Sequence, residues 1–156
     1  MSISSIKTHL STLVDKWQPV TTVLDALQSP AALLARIYVG KAFFDSGLTK
    51  LNDWSTTLLL FKEEYKVPFL PTELAAYMGT AGELVLPVML VLGIGTRFAA
   101  LGLSVVNVVA VVSLAEIAPA AYQQHLLWGA LLAMVAIYGA GKWTVESKLN
   151  LYTVAV

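Results

Sequence analysis

Four apolar stretches, at residues 31–51, 74–95, 98–115 and about 120–141, constrain this chain more than anything else in it. Each is roughly 18–22 residues long, which at about 1.5 Å of rise per residue makes about 27–33 Å, the thickness of a bilayer's hydrocarbon core. A transmembrane β-barrel needs short strands that alternate every second residue, and residues 84–92 (LVLPVMLVL) do not alternate. The expected fold is all-α: an integral membrane four-helix bundle over residues 30–146, with a separate segment at 1–29 and a tail at 147–156.

The rest of the chain agrees with a bilayer environment. Hydrophobic residues make up 57% and charged residues only 13%, against about 25% charged in ordinary soluble domains. Ten Lys and Arg balance ten Asp and Glu, so no net field draws a nucleic-acid backbone, and nucleic acid is not an expected partner. The absence of cysteine excludes a disulfide framework, a thiol relay, iron–sulfur ligation and thioether haem attachment. Two histidines leave little room for a metal site, so neither a metal nor an intrinsic cofactor is expected.

Segment 1–29 has no continuous apolar core ahead of a small-residue cleavage site, so it does not read as a signal peptide. Ile3, Ile6, Leu10, Leu13, Val14 and Trp17 fall at helical spacing, with Lys7, Thr8, Asp15 and Lys16 elsewhere on the surface. That pattern suits an amphipathic helix in the headgroup plane anchored by Trp17, or a short helix packed on the end of the bundle. The first connection, 52–72, is long for a helical hairpin. Trp54, Leu58, Phe61 and Tyr65 are spaced by four, three and four, predicting a second amphipathic helix that ends at Val67-Pro68-Phe69-Leu70-Pro71. It reads either as a lid over a site or as a passive interfacial helix.

Orientation follows from Lys and Arg in the short segments. With the N-terminus inside, inner segments hold Lys7, Lys16, Arg97, Lys142 and Lys148, and outer ones hold Lys50, Lys62 and Lys66. The expectation is both termini in the cytoplasm.

The first span carries Arg36, Lys41, Asp45 and Lys50. A charge near a helix centre costs about 2.5–3.5 kcal/mol on the insertion scale, and each Leu, Ile, Val or Phe returns about 0.3–0.6, leaving this helix roughly 2–8 kcal/mol short. Its charges therefore need partners, water or a cavity inside protein. The second span has one acid, Glu83, with Gly79 and Pro87 one turn away on the same face. Counted from the inner ends of the spans, Lys41 and Glu83 differ by about 3 Å in height and Arg36 lies about 10 Å lower. Lys41 is therefore the expected partner of Glu83, and Arg36, Lys41, Asp45 and Glu83 the expected buried charge group. Asn107 and Ser104 read as helix-to-helix glue more readily than as ligand contacts. His125 starts the fourth span level with Lys50, with Tyr77 a turn or so deeper.

This convergence predicts a hydrophobic-ligand pocket in the outer half of the bundle. Asp45, Lys50, Tyr77 and His125 would line its polar end, the helix beginning at Trp54 would cover it, and Lys41 with Glu83 would form its floor. An internal salt-bridge cluster without a cavity fits the same residues.

Arg36, Gly40, Phe43, Gly47, Lys50 and Leu51 resemble, at the right spacings, the first-helix pattern of the DoxX family of small bacterial and archaeal membrane proteins. Glu83, Leu90-Val91-Leu92-Gly93 and Thr96-Arg97-Phe98-Ala99-Ala100 resemble its second-helix signature. Gly139-Ala140-Gly141-Lys142-Trp143-Thr144-Val145-Glu146 is similar to its terminal Gly-x-Gly-basic-x-Ser-x-Asp ending, with Thr for Ser and Glu for Asp. The resemblance runs from about Pro30 to Glu146. Where the family often has His just before the second glycine, this chain has Ser46, so no role of that His carries over.

The resemblance implies a prokaryotic inner-membrane protein that works in a quinone-linked oxidoreductase system. No residue pattern here carries electrons, so such a role calls for a bound quinone or a partner's cofactor. Two other classes fit the same residues: a non-catalytic assembly subunit, or a small-molecule transporter acting as an oligomer because four helices are few for alternating access. Membrane lipid and either a partner protein or a homo-oligomer are the expected partners.

Overall fold

The computed structural model describes residues 3–149 as six helices, with no strand among them. They are α1 (Ile3–Asn52), α2 (Trp54–Glu63), α3 (Thr72–Leu92), α4 (Thr96–Ser113), α5 (Pro119–Tyr138) and the short α6 (Val145–Lys148). Three of them, α3, α4 and α5, are long and apolar enough to cross a membrane. The 31–51 part of α1 carries four charges, yet it packs beside α3 and α5 as the fourth member of the bundle.

Going round the bundle, α1 lies on α3, α3 on α4, α4 on α5, and α5 returns to α1. The core is built from Val39, Phe43, Leu90, Ala99, Ala100, Leu103, Leu132 and Val135. Outward-facing side chains are also apolar; on α4 they are Phe98, Leu101, Val105, Val108 and Val112. A surface of that kind is solvated by lipid tails.

Helix ends are set by local chemistry. Gly93 in the left-handed region (φ 73) ends α3, and its N–H bonds back to Met89 O. Pro119 opens α5 at its first turn, where a missing N–H is harmless. Glycine at 139 (φ 87) stops α5 short of the 141 boundary predicted from hydropathy.

The expected separate helix at 1–29 is corrected: the segment is continuous with the first span in a single 50-residue α1, about 75 Å long. Pro19 and Pro30 lie inside it. Each removes one backbone hydrogen bond, but residues 20–29 contain no glycine and no turn dipeptide to redirect the chain. The hydroxyls of Thr21 and Thr22 bond back to Gln18 O, and Ser29 Oγ accepts the Lys142 N–H at 3.0 Å, fixing α1 where it enters the bundle.

The residues after α5 form a clasp at that end. Arg36, fully buried, donates to Leu90 O (3.2 Å), Val91 O (3.1 Å) and Trp143 O (2.7 Å). Glu146 accepts the N–H groups of Gly95 and Thr96, capping the start of α4. A Cβ on Gly93 would stand 2.4 Å from Thr144 Cβ, so only glycine lets the clasp close over the α3–α4 turn.

At the opposite end, α2 is started by Asp53, whose side chain accepts from Thr56 N at 3.0 Å. Phe61 of α2 packs on Ala75 and Ala76 of α3, with Trp54, Leu58, Tyr65 and Val67 around it. The four residues whose spacing predicted this helix are all in that cluster.

Candidate functional site

Beneath α2, where α1 ends and α5 begins, the bundle holds a partly open cavity of about 370 Å³, within the range of small-molecule sites. Phe43, Ser46 and Lys50 face it from α1, Met78, Gly79 and Glu83 from α3, and His125 and Trp128 from α5. Val106, Val109 and Ser113 form the α4 wall, and Phe61, Tyr65 and Val67 close the top. The walls are mostly apolar, with polar groups gathered at two places.

The first is an ion pair. Lys50 Nζ lies 2.6 Å from Glu83 Oε2 and 2.9 Å from Ser46 Oγ, and the two charged side chains are only 19% and 10% exposed. Backbone approach makes the pair possible. A Cβ on Gly47 would sit 2.9 Å from Leu84 Cγ and 3.1 Å from Glu83 Cβ, so α1 and α3 nearly touch there.

The second is His125. Its Nδ1 lies 2.7 Å from Asn107 Oδ1, and Asn107 Nδ2 donates to His125 O at 2.9 Å. With the amide N–H₂ committed to that carbonyl, Oδ1 is the acceptor, so Nδ1 carries the proton and Nε2 of the neutral ring keeps its lone pair. Asn107 therefore bonds helix to helix and also orients His125. Trp128, one turn on, sets its ring edge-on to His125 (5.0 Å between centroids) and tilted against Phe43 (5.5 Å). Its indole N–H is buried without a hydrogen-bond partner among the described residues.

The predicted charge group is only partly assembled. Glu83 and Arg36 are buried, but Arg36 lies about two turns away at the other end and binds backbone carbonyls. Lys41 and Asp45 are corrected: they pair with each other on the outer surface, 74% and 54% exposed, and neither approaches the cavity. The cation on Glu83 is Lys50. Nine residues, about two and a half helical turns, separate Lys41 from Lys50, so they occupy opposite faces of α1.

Of the four predicted ligand contacts, Lys50 and His125 meet at the cavity. Trp54 and Tyr77 do not: they stack on each other at 4.8 Å in a shallow groove with Leu51, Thr80 and Leu84. Sequence reasoning missed Trp128 and the part played by Ser46. The signals were present, since Ser46 lies one turn from Lys50 and Trp128 one turn from His125.

The DoxX family pattern matches residues 31–116, more than half of the chain. This chain belongs to the DoxX family. The DoxX match spans the first three membrane helices and includes Gly47, Lys50 and Glu83, whereas His125, Trp128 and the Gly139–Glu146 clasp lie beyond it. A Haemophilus influenzae protein described as an uncharacterized protein is 27% identical over 127 residues, covering 76% of this DoxX chain and 82% of its own length. No solved structure matches the chain. Family and apolar helices together make it a multi-pass membrane protein.

Proposed function

We propose that this DoxX protein is an inner-membrane subunit of a quinone-linked oxidoreductase system and that its cavity holds a lipophilic ligand with a carbonyl-bearing head, such as a quinone. The observation that carries the reading is Trp128, whose side chain lines the cavity and whose indole N–H is buried without a hydrogen-bond partner among the described residues. A buried donor left unpaired is costly, and a ligand oxygen toward which the indole turns would relieve it. The donor set fits a quinone head: Trp128 offers one neutral N–H and Lys50 a charged one, while Phe43, Phe61 and Met78 give apolar surface for a ring. A quinone bound there would supply the electron-carrying chemistry that the side chains lack. His125 Nε2, with its lone pair set by Asn107, can accept a proton from a hydroxyl, and the Lys50–Glu83 pair keeps a second exchangeable proton at the cavity. A partner protein would deliver or remove electrons. The Lys and Arg distribution supports both termini in the cytoplasm, which puts the cavity in the outer leaflet.

Binding of a quinone analogue to the purified protein tests this. Trp128→Phe keeps an aromatic ring but removes the N–H and should weaken binding roughly 2–10-fold, the worth of a neutral hydrogen bond. Lys50→Ala should weaken it further, and Trp54→Ala should leave it unchanged. Absence of saturable binding, or equal binding by Trp128→Phe, would overturn the reading and favour the assembly-subunit alternative.

A further inference from the structure

The outward face of α1 differs from every other lipid-facing surface of the bundle described above. Where α4 beyond Arg97 at its first turn presents Phe98, Leu101, Val105, Val108 and Val112 to the outside, α1 presents Leu34, Tyr38, Lys41, Asp45 and Leu48. Lys41 is at the middle of 31–51, about 15 Å from either end, and a lysine side chain cannot snorkel that far. Ionisable side chains within a membrane face protein or water, not hydrocarbon. The Lys41–Asp45 pair is therefore covered by something polar when the protein is in its bilayer.

We propose that the cover is a second copy of this chain, docked along α1 in a parallel two-fold dimer in which each Lys41 is shared between its own Asp45 and the Asp45 of the other copy. Three observations select this occupant. A two-fold interface must be complementary to itself; a patch with one cation and one anion a turn apart meets that condition, and a patch of one sign would not. Copies inserted into one membrane share an orientation, so their α1 helices run parallel. The face also continues beyond the bundle as Leu34, Ala31, Leu27, Leu24, Val20 and Trp17, spaced alternately by three and four and all exposed. A period of 3.5 kept over that length is the seam of two helices wound around each other left-handedly. Among the described residues, nothing covers that stripe between Trp17 and Gln28. The face lies opposite Lys50 and its cavity, so the dimer stands or falls independently of quinone binding.

The chain has no cysteine, so single cysteines report cleanly in the full-length protein in native membranes. Leu34→Cys and Leu48→Cys should each give an oxidised band at twice the 16.8 kDa chain mass, and Phe98→Cys and Val105→Cys on α4 should remain monomeric. Adding Lys41→Asp to Leu34→Cys places two acids on each face and should reduce the dimer band several-fold; the double exchange Lys41→Asp with Asp45→Lys should restore it. Equal cross-linking at all four positions, monomer at all four, an adduct of another mass, or a dimer band indifferent to Lys41→Asp would each overturn the proposal.

Discussion

Truncating Glu83 leaves Lys50 with the Ser46 hydroxyl as its remaining side-chain partner in a largely apolar cavity. Glu83→Ala should therefore destabilise the bundle by about 3–5 kcal/mol, the usual result of breaking one side of a buried ion pair. Glu83→Gln keeps an acceptor for Lys50 and should cost less. Lys41→Ala, on the surface, should change little in a detergent micelle. Thermal melting of the three variants in one detergent checks the order, and an unchanged Glu83→Ala would contradict the pairing. That the pair would contain Glu83 was legible from a single acid in an apolar span. Its partner was not, for two geometric reasons. Heights counted from the edge of the apolar stretch misplace α1, because α1 does not begin at residue 31, and the close approaches of Gly40 to Val91 and Gly47 to Leu84 set a different level. Helical side chains also lean toward the N-terminus, which carries Lys50 back over Ser46 to Glu83.

Helix α2 depends on one exposed residue at its start. The Asp53 carboxylate accepts hydrogen bonds from the Ser55 hydroxyl, the Thr56 N–H and the Thr56 hydroxyl, and these hold its pKa down at about 2, from an ordinary 3.8. A carboxyl lowered in the folded state contributes stability that is complete above its unfolded value and is lost as pH falls through its folded one. The cap is thus intact at neutral pH and opens between about pH 4 and pH 2. Amide protection over Trp54–Glu63, corrected for intrinsic exchange, should fall in that window, while Asp53→Asn should show no transition there. The elements themselves were largely readable. The spacing of Trp54, Leu58, Phe61 and Tyr65 announced α2 because an amphipathic face has only one way to be buried on a bundle end. The unbroken α1 was not readable, since proline at 30 ends most helices and only docking of Ser29 on Lys142 and Gly141 shows why this one continues.

For the molecule as a whole, sidedness is the property that decides what the cavity can meet. Thr56→Cys and Gln123→Cys, both exposed at the α2 end, should react with an impermeant thiol reagent in intact cells, and Ser147→Cys at the clasp should react only after permeabilisation. The reverse pattern would place the cavity in the cytoplasmic leaflet. That polar groups of the first, second and fourth spans would meet at one depth below α2 could be anticipated because such groups converge in a bilayer; that the third span would wall the cavity with Val106, Val109 and Ser113 could not. Which aromatics line it could not, because Trp54 and Trp128 differ only in the side of the helix packing they fall on. The clasp bears on the order of events during synthesis. Arg36 enters the membrane with the first span, but its acceptors at Leu90, Val91 and Trp143 are added 54, 55 and 107 residues later. Until they emerge its charge has no protein partner among these, so a half-made protein carries an unmet cation in its first span, and the settling of that span into lipid waits on a residue made 107 positions later.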